Sequence, residues 1–332
     1  MLLWQRLYAF LGFKKSYNAL FFCMFASPLF LFALSQLLQC FTIHGIQVSQ
    51  TAPGEMYWFQ KGSGRVGISI HLAAILPCAI LAVLQFVPAI RQAMPSFHRI
   101  NGRIVVALLL IANVGALMIA RHSFGGTIDI QSAVGFLVMI TTIGAALAYY
   151  NIRRLQIDQH RAWMLRTMVY MGTILTARVV LALSAVIVSS LGEYRNVWPC
   201  EMIEWTWKSY GADDYLQSYP QCADNSAING TFAPVLANIF SSTDPAEIGA
   251  SFQVPVGMAF WVSIALNMAG IELYLTLTPR EATRLRMESY RRQAAAGYGN
   301  PGSEGLVPEK FGDADPWVYP GRREYLDYGA CE

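Results

Sequence analysis

The stretch TMVYMGTILTARVVLALSAVIVSSL, residues 167–191, decides the fold of this chain, because its 25 residues carry a single formal charge, Arg178. An α-helix needs about 20 apolar residues to cross about 30 Å of hydrocarbon. In lipid every backbone polar group needs an internal partner, and runs this long do not fit the alternating strands of a barrel. Five further stretches of this kind are 17–38, 66–90, 104–120, 132–152 and 252–277. The sequence therefore predicts an all-α bundle of six transmembrane helices, and we expect the short third one to begin near Ser96.

The composition of the whole chain agrees with a membrane protein. Its 332 residues include 24 Lys or Arg and 21 Asp or Glu, so that 14% are charged and 55% are apolar. An average soluble domain has about 25% charged residues. This deficit excludes a soluble enzyme and a nucleic-acid binder, and a net charge of +3 is too small to indicate an anionic polymer as partner.

The distribution of basic residues predicts the orientation. Six spans place both ends of the chain on one side, which carries 15 Lys and Arg residues near the spans against five on the other side. The basic residues on the first side are Arg6, Lys14, Lys15, Arg91, Arg99, Arg103, Arg153, Arg154, Arg161, Arg166, Arg280, Arg284, Arg286, Arg291 and Arg292. Those on the second side are Lys61, Arg65, Arg121, Arg195 and Lys208. Because cytosolic loops are enriched in Lys and Arg, both termini are predicted to be cytosolic, in an endomembrane or the plasma membrane.

Residues 192–251 are then one long outer loop, and two features fit a non-cytosolic compartment. Asn229-Gly230-Thr231 is an N-glycosylation sequon. Cys200 and Cys222 are the two cysteines of this loop, and we expect them to form a disulfide. The cytosolic tail, 278–332, begins with a basic helical segment from Pro279 to Arg292 and continues into a Gly/Pro-rich stretch that we expect to be disordered or loosely docked.

The histidines are distributed in a way that suggests a cofactor. His71 and His122 lie near the predicted outer ends of the spans, and His98 and His160 lie near the inner ends. A haem b or a metal ion near each membrane face would be held by one such pair. The simpler alternative is that interfacial His and Arg side chains anchor helix ends and bind carbonyl groups.

Two strings around these histidines resemble a known family. His98 to Arg103 reads H-R-I-N-G-R, and His160 to Arg166 reads H-R-A-W-M-L-R. Both match the signatures of the bacterial and fungal membrane family catalogued as domain of unknown function 2306. The resemblance covers about residues 66–190 and implies a membrane protein without an established activity.

A weaker resemblance is to cytochrome b561, a six-helix protein that holds two b-type haems with one pair of histidines near each face. A b-type haem also needs cations for its propionates, and Arg99, Arg103 and Arg166 could serve an inner haem and Arg121 an outer one. The chain departs from that family because His98 and His122 share the third helix, 24 residues or about 36 Å apart.

Polar residues inside the spans suggest a second kind of site. Arg178 lies near mid-membrane, where an unpaired arginine is costly. Asn113, Asn267 and Glu272 are expected at comparable depths. We predict that these four residues form a polar cluster in the bundle, as a catalytic site, a proton or substrate pathway, or a clamp between helices.

Three functions follow from these patterns. The leading one is a redox protein that binds haem or metal and takes an electron donor or acceptor as partner. The second is a non-redox biosynthetic enzyme or accessory protein that is embedded in the membrane and acts on a lipophilic small molecule. The third is a transporter. All three have membrane lipid as their surroundings and none involves nucleic acid.

Overall fold

Long apolar helices dominate the computed structural model, which describes residues 6, 8–13, 15–41, 51–223 and 230–319. Within these residues six helical segments are long and apolar enough to cross a membrane, which confirms the predicted six-helix bundle. The segments are Ser16–Gln39, Gly62–Gln85, Pro95–Ile119, Ile128–Arg153, Ile157–Leu191 and Pro245–Thr276. The orientation of the termini stays a prediction, and the sequon asparagine Asn229 lies outside the described residues.

The elements are numbered here in chain order. The helices are α1 (Ser16–Phe41), α2 (Gly62–Gln85), α3 (Pro88–Ala93), α4 (Pro95–Ile119), α5 (Ile128–Arg153), α6 (Ile157–Met171), α7 (Thr173–Leu191), α8 (Cys200–Ser209), α9 (Tyr215–Ser218), α10 (Pro245–Gln253), α11 (Val256–Thr276) and α12 (Pro279–Ala295). The strands are β1 (Arg195–Pro199) and β2 (Phe232–Leu236). Short 3₁₀ segments are Glu55–Phe59, Ser123–Gly125, Pro220–Cys222 and Pro308–Phe311.

Some span boundaries differ from the predicted ones. The second span ends at Gln85 instead of residue 90, because Pro88 occupies the first turn of a separate short helix, where proline is favoured. The third begins at Pro95, next to the expected Ser96. The fifth consists of α6 and α7 and counts 35 residues, about 52 Å of helix, which exceeds the hydrocarbon thickness.

The chain divides into two compact units, of which the first comprises Met1–Val138 and Gly172–Ile264. Within it α2 and α4 pack closely against each other. A Cβ atom at Gly115 of α4 would lie 2.6 Å from the backbone nitrogen of His71 in α2. The absence of a side chain at Gly115 therefore allows this close approach of the two helices.

Most of the predicted outer loop is folded. We call residues 195–223 and 230–253 the loop domain. Its strands β1 and β2 pair antiparallel with Val197 opposite Pro234. The predicted disulfide between Cys200 and Cys222 is present. The buried core of the domain comprises Trp198, Cys200, Met202, Ile203, Trp207, Tyr219, Cys222, Ala233, Val235, Ala246 and Ala250.

The second unit, Met139–Met171 and Ala265–Glu332, contains a buried polar network. The side chain of Gln156 donates to the Gly302 carbonyl at 3.0 Å and accepts from the Gly305 N–H at 3.1 Å. Gln293 of α12 donates to Gln156 Oε1 at 3.0 Å and accepts from the Gly302 N–H at 2.6 Å. Asn151 Oδ1 accepts from the Leu306 N–H at 2.9 Å. These bonds satisfy the buried amides and fix the segment that follows α12.

The predicted basic helix is present as α12. The Gly/Pro-rich stretch after it is packed, whereas the sequence predicted a disordered or loosely docked segment. Arg286 of α12 pairs with Glu309 at 2.9 Å and lies 5.1 Å from the ring centroid of Trp317. Burial alone would raise the pKa of Glu309, but the hydrogen bond and the charge of Arg286 outweigh it and lower that pKa.

Candidate functional site

A carboxylate and a strained turn meet in the first unit. The carboxylate belongs to the chain segment that joins α1 to α2, and the turn joins α4 to α5. The turn is His122–Gly126, in which Phe124, Gly125 and Gly126 all have positive φ, at 52°, 90° and 65°. Its Phe124 N–H donates to both carboxylate oxygens of Glu55 at 3.0 Å. A non-glycine residue in this conformation costs about 1–3 kcal/mol, and such residues collect at functional sites.

The environment of Glu55 controls its charge. Its side chain is partly accessible, yet the carboxylate is desolvated enough to raise the pKa from 4.5 to about 7. The hydrogen bond from Phe124 opposes this shift in part. A carboxyl group with such a pKa populates both protonation states near neutral pH, which is the property of a general acid and base.

His122 flanks this carboxylate as the first residue of the turn. Its ring stacks on the indole of Trp58, with centroids 4.2 Å apart and planes 10° from parallel. Burial and the neighbouring charge of Arg121 both lower the pKa of His122. The imidazole is therefore neutral at pH 7 and provides an uncharged polar edge beside an aromatic surface.

The loop domain holds the 3₁₀ segment that carries Glu55. Tyr57 donates its hydroxyl to Glu201 of α8 at 2.8 Å. A Cβ at Gly54 would lie 2.6 Å from the ring of Trp198, so that only glycine fits there. Burial and the bond to Glu201 raise the pKa of Tyr57 to about 12, so the tyrosine stays protonated.

Gln253 connects the loop domain to the strained turn. Its Oε1 accepts from Trp198 Nε1 at 2.7 Å and from Asn196 Nδ2 at 2.9 Å. A Cβ at Gly125 would lie 3.0 Å from the same oxygen. Gln253 is 4% exposed, so its stem is packed between strand β1 and the turn.

Two of the four candidate ligand histidines form the same contact. The Nδ1 atom of His71 lies 2.9 Å from the Ala112 carbonyl of α4, and that of His160 lies 2.9 Å from the Ala148 carbonyl of α5. A carbonyl partner requires a proton on Nδ1, which leaves the lone pair on Nε2. Metal-bound histidines commonly have this arrangement.

The first motif, His98 to Arg103, lies at the contact between α2 and α4. Asn101 donates to the Leu81 carbonyl at 3.0 Å. In the amide orientation that satisfies its neighbours, Gln85 donates to His98 Nδ1 at 2.7 Å. This bond favours a proton on Nε2 of His98, and a ligand role would need the other tautomer.

The predicted propionate partners Arg99, Arg103 and Arg121 are all exposed. Arg99 donates to Ser96 Oγ at 3.2 Å, close to the start of α4. Arg121 follows the last turn of α4. These positions are those of charges at helix ends, and the propionate role stays a prediction.

The second motif, His160 to Arg166, is engaged within the second unit. Arg166 donates to both oxygens of Glu272 at 2.6 and 2.8 Å, and its guanidinium carbon lies 4.9 Å from the ring centroid of Trp163. Arg161 donates to the Tyr274 hydroxyl at 3.3 Å. The motif therefore ties α6 to the end of α11.

Of the predicted polar cluster, Asn113 and Arg178 belong to the first unit and Asn267 and Glu272 to the second. Both carboxylate oxygens of Glu272 accept hydrogen bonds from Arg166. The cluster as a catalytic site stays a prediction.

Arg178 has an unusual position in α7. Its side chain is exposed, and its guanidinium carbon lies 4.7 Å from the ring centroid of Phe32. An arginine at mid-membrane costs about 2.5–3.5 kcal/mol on insertion scales. A desolvated cation–π contact contributes about 2 kcal/mol, so the ring offsets only part of this cost. The described residues of its own unit form no ion pair with Arg178.

Sequence reasoning missed Glu55. The acid lies before the second span, and its partner, the Phe124 N–H, follows 69 residues later. A backbone donor leaves no side-chain signal in the sequence. Pro53-Gly54 before Glu55 and the pair Gly125-Gly126 were the available signs of special backbone conformation. No group of three or more His, Cys, Asp or Glu side chains suited to a metal ion occurs among the described residues.

Comparison with known proteins identifies two relationships. Ava biosynthesis cluster protein G of Aspergillus versicolor is 26% identical over 271 residues, which are 68% of this chain and 78% of the relative. No solved structure matches the chain. The resemblance to cytochrome b561 stays a prediction. Residues 68–205 match the family model described as predicted membrane protein (DUF2306), which confirms the resemblance that the two histidine–arginine motifs indicated.

Proposed function

We propose that the protein is a non-redox biosynthetic enzyme embedded in the membrane, in which Glu55 transfers protons to and from a lipophilic substrate. One observation carries the proposal. The Glu55 carboxylate is desolvated against the main chain of a strained turn, with a pKa of about 7. A group that is half protonated near neutral pH serves both as acid and as base, and general acid–base catalysis contributes about 10²–10⁴-fold to a rate.

The surroundings of Glu55 suit a lipophilic substrate. Trp58 stacks on His122, and the ring of Phe124 lies 6.0 Å from that of Phe260 in α11. Tyr57, on the same 3₁₀ segment, donates its hydroxyl to Glu201 and holds the segment in place. An apolar surface with a few polar groups is the usual composition of a small-molecule site.

The relative in Aspergillus versicolor supports a biosynthetic role. Its name assigns it to a biosynthesis cluster, and this chain matches 78% of its length. We infer from this a place in the biosynthesis of a small molecule, and the chemistry at Glu55 would be one proton-transfer step in it.

The test is complementation of a producing strain from which the gene has been deleted, with formation of the pathway product as the measurement. We expect Glu55→Gln to lower product formation at least about 100-fold, because the amide keeps the shape and removes the titratable group. Glu204→Gln is the matched control, since Glu204 lies on the surface of α8 and pairs with exposed Lys208. Product formation at the wild-type level by Glu55→Gln, at equal abundance in the membrane, would refute the role of Glu55.

One observation favours a second candidate, a haem- or metal-binding redox protein. His71 and His160 both have Nδ1 at a backbone carbonyl and Nε2 available as a ligand atom. A bound haem b would supply one-electron transfer, with His122 as the partner expected for His71. An absorbance spectrum of purified protein tests this candidate. A Soret band that shifts on reduction and weakens by about half in His71→Ala supports it, and a colourless protein excludes haem.

A further inference from the structure

From its position in the fifth span, we expect the guanidinium of Arg178 to lie inside the hydrocarbon. Its contact residue Phe32 is 16 residues from the start of the first span, Ser16–Gln39, and seven from its end, or about 24 Å and about 10 Å along the helix. Arg178 itself lies 13 residues before Leu191, about 20 Å from that end of α7. The side chain therefore remains at depth against Phe32, at a distance from either membrane surface.

The predicted spans of the first unit contain no Asp or Glu that could pair with Arg178. The one acid inside the predicted spans, Glu272, belongs to the second unit and has both oxygens bound by Arg166. Asp129, in the first turn of α5, lies against Gly257 at the start of α11. The described residues of the first unit therefore supply no carboxylate to Arg178.

The depth restricts the chemistry of that anion. A phospholipid phosphate is held at the headgroup level, and an arginine side chain snorkels to that level most readily from near a helix end. A carboxylate on an aliphatic molecule has a small headgroup and matches the planar fork of arginine with two parallel hydrogen bonds. The neighbours of Arg178 on the same face of α7, one turn away in each direction, are the apolar residues Ile174 and Ala182, and they suit an aliphatic chain.

We propose that Arg178, with Phe32 beside it, binds the carboxylate of a lipophilic monocarboxylic acid within the bilayer. This site is independent of Glu55 and stands whether or not that residue transfers protons. It also identifies a chemical class of ligand, long-chain or polycyclic acids, for which the membrane is the route of entry.

The experiment is photolabelling of the full-length protein in nanodiscs with a diazirine-bearing palmitic acid, with its methyl ester as the neutral probe. We expect the acid to label peptides of α1 and α7 about tenfold more than the ester does. Arg178→Gln should reduce labelling by the acid about tenfold and leave the ester unchanged, and Arg178→Lys should retain part of it. Arg65→Gln is the control, because Arg65 lies in the first turn of α2, away from mid-membrane.

Three results would overturn the proposal. The first is equal labelling by acid and ester, and the second is unchanged labelling of folded Arg178→Gln. The third is Arg178-dependent labelling by a diazirine-bearing phosphatidic acid in place of the fatty acid, which would make the ligand a lipid headgroup. If Arg178→Gln does not fold, competition on the wild-type protein decides, since unlabelled palmitate should suppress the label and methyl palmitate should not.

Discussion

At the scale of single residues, the fold acts most strongly on the charge of Glu55. Desolvation raises its pKa, and the one N–H of Phe124 is too weak a compensation to restore the usual value. The same turn keeps Phe124 in the left-handed region at φ 52°, where a non-glycine residue is strained. Two unfavourable features at one contact suggest that the arrangement is retained for its chemistry and not for stability.

The raised pKa of Glu55 predicts how stability depends on pH. Between pH 4.5 and about 7 the folded state retains a proton that the unfolded state has lost, so stability falls as pH rises through this window. Glu55→Gln has no titratable group at this position. Its free energy of unfolding should therefore rise, relative to that of the wild type, by up to about 2–3 kcal/mol between pH 5 and pH 8. Melting temperatures in detergent at both pH values measure it. Parallel profiles of the two proteins would contradict the raised pKa.

What the sequence reveals at this scale depends on the kind of contact. The disulfide could be predicted, because Cys200 and Cys222 were the two cysteines of one outer loop. The partner of Glu55 could not, since a backbone N–H is the same at every residue. The pairing of Arg166 with Glu272 was missed because both occur in spans whose relative rotation no hydropathy pattern determines.

At the scale of elements, the side chain of Gln253 connects the loop domain to the strained turn. Gln253 ends α10, accepts from two residues of β1 and packs on Gly125. The sequence predicted residues 192–251 only as a long loop, because short strands and helices in such a segment have no span-like pattern. The aromatic core around Trp198 and the disulfide give that segment its fixed structure.

Gln253→Ala should raise the titration midpoint of Glu55. The loss of its stem frees Gly125, misaligns the Phe124 N–H and removes the interaction that lowers the pKa, while burial remains. The charged groups, histidines and tyrosine on the elements packed around Glu55 and Gln253 are Tyr57, Lys61, Arg65, His71, Arg121, His122, Arg195, Glu201, Glu204, Lys208 and Glu247. We expect a shift of at least about half a pH unit in the carboxyl infrared band. Lys208→Gln, on the exposed face of α8, is the control and should not shift it, and an unchanged or lower midpoint in Gln253→Ala would disprove the connection.

At the scale of the whole molecule, hydropathy determines most of the architecture. Six apolar stretches became six spans, and their ends moved mainly where proline begins a new helix, as at Pro88 and Pro95. The segment after α12 was the part that composition described least well. Its glycines are not a flexible linker, because the N–H groups of Gly302 and Gly305 bind buried glutamines, and these pairings depend on the tertiary structure.

The charge asymmetry predicts that the loop domain faces the lumen or the exterior. Glycosidase treatment should then increase the gel mobility of the wild-type protein, and Asn229→Gln should match the treated product. Asn300→Gln, at an exposed asparagine in the segment after α12, is the control and should remain sensitive to the enzyme. A cytosolic signal from a reporter inserted next to Gly230 would reverse the predicted orientation.

The most direct measurement of the central claim is an infrared pH titration of the purified protein, in which the C=O stretch of protonated carboxyl groups is recorded. We predict one band that titrates near pH 7 and disappears in Glu55→Gln, because the desolvated Glu55 holds its proton to about that pH. Absence of a carboxyl group that titrates near neutral pH, or a band that is unchanged in Glu55→Gln, would contradict the assignment of Glu55 as the acid–base group.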